Sequence, residues 1–483
     1  MTWLMESADY LAVVLRLVLS AAILLTVMPL TIYLERKGSA FIQGRPGPNR
    51  AALFGVFRMG GLAHVLADVI KLVSKEDIIP AGVNRFYFKL APIIVAFIPL
   101  TTFMIVPIAD VIRLSDTFAT PMATLQLDGG LLWFFAMTSL SVYGVVFAGW
   151  ASNSKFSLLG GIRSTAQLLS YEIPMALAVV AMMLTYGTVQ PNEMVRAQGE
   201  LLWGFLPQWG IFLQPLGFIL FITCAFAEIN RVPFDLAEGE AELVAGYHTE
   251  YSGMRFGLFF MAEYMALVTS GALTVTMFLG GWQLPWLPTE RLVADAGTLM
   301  PWFIGGAGLL LGAASGRLIR HYQEYTRGRW GDARDFEPLV FSALFALGFI
   351  AHGAAAGWVW GVVKAGEALP GWLPPLFAAG VQISVFTAKL LFLCWCFVWV
   401  RWTLPRFRYD QVMDLGWKSL LPLSLFNLLL TGVLMLQPWG REVLPVAPVV
   451  TLGLMWVWKR YLVPSQARVP ATSRLVVGEE ASA

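Results

Sequence analysis

Long apolar runs recur along the whole chain and are separated by shorter polar segments. A helix needs about 20 apolar residues to cross a bilayer, and a spanning segment must pair its own backbone polar groups. The runs do not alternate as the strands of a barrel would. They predict an all-α, polytopic transmembrane bundle of about eleven helices. The runs lie near Tyr10–Tyr33, Tyr87–Ala109, Leu131–Trp150, Thr165–Tyr186, Trp209–Ala227, Phe256–Gly280, Pro301–Ile319, Leu339–Val363, Leu376–Val400, Ser419–Leu436 and Val446–Tyr461.

One segment on the side that follows the first run has a different pattern. Gly55–Val73 is too polar to span, but Leu62, Val65, Leu66 and Val69 recur at helical spacing. This pattern predicts an amphipathic helix that lies at the membrane surface.

The composition and the placement of charge agree with a membrane protein. Hydrophobic residues make up 57% of the chain and charged residues only 13%, against about 25% in soluble domains. Most Lys and Arg residues fall in alternate loops, which predicts that those loops face the cytoplasm and that the N-terminus faces outward. We therefore expect a multi-pass protein of the bacterial inner membrane. The opposite side carries only Arg113, Arg196, Arg291, Lys364 and Arg441.

The loop from Glu228 to Tyr251 combines many carboxylates with apolar residues and a single arginine, Arg231. If the loop is helical, Glu238 and Glu242 lie on one face, where like charges repel and burial favours protonation. That arrangement suits a proton relay, and a solvated acidic loop is the alternative. The loop's acidic residues are Glu228, Asp235, Glu238, Glu240, Glu242 and Glu250.

Three further charges lie inside predicted helices. Glu172 and Glu263 would cost roughly 2.5–3.5 kcal/mol each at membrane depth, which favours a functional role facing protein or water. A hydrated position near the interface is the alternative for both. Lys389 lies well inside the ninth run, where a counter-ion role is one interpretation.

Redox cofactors and metals are not expected in this chain. Only His352 of the four histidines falls in an apolar run, whereas a transmembrane haem needs a pair. Cys224, Cys394 and Cys396 lack the spacing of a zinc or iron–sulfur site and are interpreted as packing residues.

Taken together, seven short strings resemble the NuoH-type membrane subunit of respiratory complex I, the NADH:quinone oxidoreductase. They occur in family order and on one predicted side of the membrane. The strings are Glu35–Gly38, Arg45–Asn49, Gly149–Asn153, Gln167–Glu172, Ala227–Asp235, Glu238–Glu250 and Leu404–Gln411.

The resemblance implies a subunit of a proton-translocating enzyme that forms a quinone tunnel at the junction with the hydrophilic arm. Quinone is then the substrate, and the implied partners are the hydrophilic quinone-site subunits, small membrane subunits, antiporter-like subunits and membrane lipid. By resemblance, the residues that line or shape the tunnel are Arg36, Arg45, Asp68, Arg231 and Phe256. The acidic path that couples quinone chemistry to pumping is implied at Glu172, Glu228, Asp235, Glu238, Glu240, Glu242, Glu250 and Glu263.

The chain departs from the family pattern in two places. Residues 297–375 lie where the family has a short connection, and they predict a lineage-specific, peripheral helical hairpin. The core then comprises 1–296 and 376–462, the latter with an extra C-terminal helix, and 463–483 form a disordered tail. In the amphipathic helix, His64-Val65 replaces the usual Gln-Pro.

Two other functional classes stay open at this point. The membrane anchor of an energy-converting hydrogenase shares the helix order, although such anchors generally diverge in the acidic loop. A cation-coupled transporter would be expected to show inverted repeats with broken helices, which the sequence does not reveal.

Overall fold

The computed structural model describes residues 2–53, 57–115, 118–235, 246–329, 331, 335–448, 451 and 453, with only the backbone described for 2–10. Helices dominate this part of the chain. They are α1 (Thr2–Ile42), α2 (Ala63–Ser74), α3 (Arg85–Phe103), α4 (Gly130–Ala151), α5 (Lys155–Tyr186), α6 (Pro191–Ala197), α7 (Gly210–Leu213), α8 (Pro215–Glu228), α9 (Gly253–Phe278), α10 (Thr289–Ala294), α11 (Ala296–His321), α12 (Glu337–Lys364), α13 (Leu373–Thr403), α14 (Tyr409–Asp414), α15 (Leu421–Met435) and α16 (Gly440–Val443). Two small antiparallel hairpins pair β1 (Ile112–Ser115) with β2 (Phe118–Thr120) and β3 (Leu201–Leu202) with β4 (Leu206–Pro207).

The helical, polytopic fold predicted from the apolar runs is confirmed. Within the described ranges, nine helices are long and apolar enough to cross a membrane, and α8 is a shorter apolar helix. A π-helical segment, Leu415–Leu420, joins α14 and α15 into one such span. The predicted run Val446–Tyr461 and the predicted tail lie almost wholly outside the described residues.

The fifth predicted run, Trp209–Ala227, is not one continuous helix. It breaks at Gln214, between α7 and α8, where Pro215 begins the new helix. The residue before a proline is pushed out of the helical region, and Gln214 indeed has φ −129° and ψ 58°. Its buried amide pairs with Thr185, Thr431 and Asn427, so the break is satisfied by side chains of α5 and α15.

The centre of the bundle is formed by α5 and α9. The first packs against α4, α8 and α15, and the second packs against α1, α3 and α13. Tyr171 on α5 is fully buried, and its hydroxyl donates to the carbonyl of Val412 at 2.7 Å. The outward faces of the spans carry exposed Leu, Val, Phe and Trp, as surfaces that face lipid do.

The amphipathic helix predicted from Gly55–Val73 is α2, preceded by a 3-10 turn, Met59–Gly61. Its apolar Leu66, Ile70 and Val73 are exposed. It packs against α9 and contacts α1. The predicted hairpin is the pair α11 and α12, which pack along each other, and a π-helical turn, Tyr322–Thr326, follows α11.

Candidate functional site

A cavity of about 420 Å³ lies between α1, α2 and the start of α9. It is mostly apolar, with a few polar groups directed into it, which is the usual composition of a small-molecule site. Three residues implied by the family resemblance, Arg36, Asp68 and Phe256, meet at this cavity. It is lined by Arg36, Asp68, Lys71, Leu72, His248, Thr249, Tyr251, Phe256 and Phe260.

The charged wall of the cavity is an ion pair between two helices. The guanidinium of Arg36 on α1 lies 2.5 Å from the carboxylate of Asp68 on α2. Lys71, one turn further along α2, lies 4.0 Å from the same carboxylate. Both members of the pair are about one-third exposed, so they are accessible from the cavity.

The opposite wall of the cavity is aromatic. His248 stands 5.5 Å from Phe256, whose ring in turn stacks on Phe260 at 6.4 Å. His248 lies in a short 3-10 turn before α9, outside the spans, and burial lowers its pKa to about 4. Its imidazole is therefore neutral at physiological pH, and it offers one donor and one acceptor beside the cavity.

Arg45 lies at a neighbouring cavity rather than the first one. This second cavity, of about 370 Å³, also borders Arg36 and His64. Arg45 is exposed and donates to the side chain of Gln43 at 2.7 Å. The structure thus places Arg36 at both cavities and Arg45 at the outer one.

Arg231 lies away from both cavities, in a buried charge cluster. Its guanidinium contacts the carboxylate of Glu35 at 3.0 Å and also pairs with Glu263 on α9. Arg401 on α13 pairs with Glu35 as well, and the hydroxyl of Tyr264 donates to Glu35 at 3.0 Å. Two carboxylates thus balance two guanidiniums, and the cluster joins α1, α9, α13 and the segment after α8.

The cluster keeps Arg231 charged despite its burial. Only 3% of its side chain is exposed. Burial opposes the charged form, but the carboxylates of Glu263 and Glu35 outweigh that effect and raise the pKa of Arg231 above its ordinary value. Tyr264 adds a cation–π contact at 4.2 Å.

The segment that carries Arg231 is held against α5 by one buried side chain. The amide of Gln167 donates to the carbonyls of Ala227 at 2.8 Å and Phe234 at 2.9 Å, and to the side chain of Asn230 at 3.1 Å. The string that resembles the family is therefore fixed through its backbone.

Two carboxylates of the implied acidic path lie close together. Glu172 on α5 accepts a hydrogen bond from Ser139 on α4, and an electrostatic interaction links it to Glu228 at the end of α8. The Oε2 atom of Glu228 is shielded from solvent and has no hydrogen-bond partner within the described residues. Glu172 and Glu263 thus both contact protein groups, as the cost of burying charge in lipid predicts.

The remaining acidic candidates are only partly located. Asp235 and Glu250 are partly buried at the two ends of the loop. Glu238, Glu240 and Glu242 lie outside the described residues.

Reasoning from the sequence missed four residues of these sites: Glu35, Tyr264, Arg401 and His248. A signal existed for Glu35, because it directly follows the apolar run of α1 and carries the same burial penalty as Glu172. For Arg401 the sequence showed only an ordinary basic residue at the end of an apolar run.

Comparison with known proteins identifies the chain's relatives. A family model described as NADH dehydrogenase matches residues 14–315 and 338–432. The chain belongs to this NADH dehydrogenase family. The first H-type subunit of the NADH-quinone oxidoreductase of Solibacter usitatus is 41% identical over 416 residues, covering 85% of this chain and 94% of the relative. The corresponding subunit 8 of Rhodothermus marinus is 39% identical over 412 residues, with 85% and 93% covered, and the H-type subunit of Salinibacter ruber is 38% identical over 404 residues, with 84% and 90% covered.

The resemblance to the NuoH-type subunit is therefore confirmed, and the chain is a multi-pass bacterial membrane subunit of the complex I type. The NADH dehydrogenase family match stops at residue 315 and resumes at 338, leaving out a shorter interval than the predicted 297–375 insert. That insert stays a prediction. Across the described ranges no group of three metal-ligating side chains comes together, and the expectation of no cofactor likewise stays a prediction.

Proposed function

We propose that the cavity between α1, α2 and α9 is the quinone passage of this subunit. The observation that supports the proposal most directly is the convergence of Arg36, Asp68 and Phe256 on one mostly apolar cavity. A quinone has an apolar tail and two carbonyl acceptors. The aromatic wall suits the former, and the guanidinium and the neutral imidazole of His248 supply donors for the latter.

Changing the volume of the cavity tests this role. Leu72→Trp narrows it, and we expect a raised KM for quinone while electron transfer to an artificial acceptor in the hydrophilic arm is unchanged. Val73→Trp is the matched control, because Val73 is the next residue on α2, is 65% exposed and is not part of the cavity wall. Equal kinetics in the two variants would contradict the proposal.

We further propose that Glu172, Glu228 and Glu263, with Asp235, Glu238, Glu240, Glu242 and Glu250, form the acidic path that couples quinone chemistry to proton translocation. The proximity of Glu172 to Glu228 supports it, since neighbouring carboxylates at membrane depth readily share or exchange protons. Arg231 would contribute to this region by balancing Glu35 and Glu263, rather than by touching quinone.

Proton pumping in sealed vesicles tests the path. Glu172→Gln should lower acidification relative to electron transfer, as should Glu238→Gln or Glu242→Gln. Glu193→Gln is the control, because Glu193 is an exposed carboxylate on the short helix α6. Full electron transfer with undiminished acidification in all three test variants would refute the coupling role.

A further inference from the structure

The hairpin formed by α11 and α12 touches the rest of the bundle sparingly. Only 11% of the apolar window of α12 is buried, against 72% for α9. Its residues are not among those that line the cavity of the proposed quinone passage. A single buried contact nevertheless links it to the segment that leads into the cavity wall.

That contact is made by Glu337, the first residue of α12. Its side chain is directed into the protein, and the residue is only 8% exposed. Its carboxylate accepts a hydrogen bond from the backbone N–H of Arg58, which is 279 residues away along the chain. A hydrogen bond to a charged acceptor is stronger than one between neutral groups.

Arg58 begins a bend that the chain does not adopt readily. Met59 has φ +50°, and Gly60 and Gly61 follow with φ +63° and +105°. A Cβ at Gly61 would lie 2.1 Å from the carbonyl oxygen of Pro48, so only glycine fits there. A left-handed non-glycine residue costs free energy and persists only when its surroundings fix it. Two contacts do so here: Tyr33 on α1 donates to the carbonyl of Gly60 at 3.3 Å, and Glu337 binds Arg58.

The bend determines where α2 starts, and α2 supplies Asp68, Lys71 and Leu72 to the cavity. The other end of α2 is fixed independently, because Ser252 donates to the carbonyl of Glu76 at 3.3 Å and accepts from Ile78 at 3.0 Å. The start of α2 therefore depends on the bend and on the two side chains that hold it.

We propose that Glu337 is a positioning residue through which the α11–α12 hairpin fixes the start of α2 and so the width of the cavity. The part that concerns substrate rests on the proposed quinone passage. The part that concerns the bend does not.

Three variants in the intact, purified complex test both parts. Glu337→Ala removes the acceptor, whereas Glu337→Gln keeps an oxygen that can accept the same hydrogen bond. Glu324→Ala is the matched control, because Glu324 is an exposed carboxylate on the same hairpin. Hydrogen–deuterium exchange of the amide of Arg58 reports on the contact directly, and the KM for quinone reports on the passage.

We expect Glu337→Ala to speed exchange at Arg58 by about tenfold, as loss of one hydrogen bond to a charged group implies. The same variant should raise the KM for quinone severalfold with a smaller change in kcat. Glu337→Gln should restore most of both, and Glu324→Ala should change neither.

Unchanged exchange in Glu337→Ala would overturn the proposal outright. Faster exchange with an unchanged KM would overturn the link from the bend to the cavity. Failure of the quinone passage itself is distinguishable, because Leu72→Trp would then also leave the KM unchanged while Glu337→Ala still speeds exchange at Arg58.

Discussion

Glu35 balances most of the positive charge in the buried cluster, since it contacts Arg231, Arg401 and Tyr264. Glu35→Gln would leave two guanidiniums with only Glu263 as a counter-charge. Breaking a buried ion pair from one side costs about 3–5 kcal/mol, because the remaining charge is uncompensated. We therefore expect a large drop in the thermal stability of the assembled complex.

The charge balance can be restored to check this explanation. Glu35→Gln combined with Arg401→Gln removes one charge of each sign and should recover part of the lost stability. Asp410→Asn, which breaks the exposed pair between Arg408 and Asp410, should shift stability by less than about 1 kcal/mol. A Glu35→Gln complex as stable as the Asp410→Asn complex would show that the cluster does not hold the bundle together.

His248 gives the cavity wall a dependence on pH. Its pKa of about 4 in the folded protein is below the ordinary value of 6.5, so the unfolded chain binds the proton more readily. The stabilisation is therefore complete above about pH 6.5 and is lost as the pH falls from there toward 4, by up to about 3 kcal/mol. His248→Gln should flatten the thermal stability profile in that window. A profile identical to that of the wild type would exclude His248 as its cause.

At the scale of elements, Lys389 shows how a charge inside an apolar run can serve a helix end. The counter-ion interpretation paired it with a carboxylate, but its ammonium instead donates to the carbonyls of Leu279, Gly281 and Gln283 at 2.8–2.9 Å. These carbonyls follow the last residue of α9, where a cation is favoured. Lys389 on α13 thus fixes one end of the helix whose other half carries Glu263.

Removal of that cap is expected to loosen the end of α9. Lys389→Met leaves three carbonyls without their charged donor, at a cost of at least about 2 kcal/mol. Hydrogen exchange at the amides of Leu279 and Gly281 should quicken, while Lys364→Met, which alters an exposed lysine at the end of α12, should leave it unchanged. Equal exchange in both variants would mean that α9 keeps its end without Lys389.

The elements also show what hydropathy can predict. Apolar runs located ten of the predicted spans, because the length of such a run alone is a strong signal. Hydropathy did not reveal the break at Gln214, since Leu213 and Leu216 on either side are as apolar as any span residue. Pro215 was the available signal, because a proline within a run ends or kinks the helix before it.

At the scale of the whole molecule, contacts between distant segments were beyond a single sequence. Glu35 is separated from Arg231 by 196 residues and from Arg401 by 366, and no local pattern joins them. Motifs supplied the family and most of the cavity residues. The resemblance placed Arg231 at the tunnel, whereas the structure places it in the charge cluster, because its partners come from three other elements.

The orientation of the bundle in the membrane is the last expectation that can be tested on the whole molecule. The 26 residues of α11 span about 39 Å, so Trp286, before this helix, and Tyr325, after it, lie near opposite membrane surfaces. Both are exposed, at 64% and 57%. The distribution of Lys and Arg predicts that Trp286 faces outward with the N-terminus and that Tyr325 faces the cytoplasm.

Thiol labelling can decide between the two orientations. In a background that lacks Cys224, Cys394 and Cys396, Trp286→Cys should react with a membrane-impermeant maleimide in intact spheroplasts, and Tyr325→Cys only in inverted vesicles. Each variant serves as the control for the other, because both compartments are sampled with the same reagent. The reverse pattern would place the loop between α11 and α12, with Glu337 and the start of α2, on the outer side. The cavity would then face away from the hydrophilic arm, which contradicts a quinone passage.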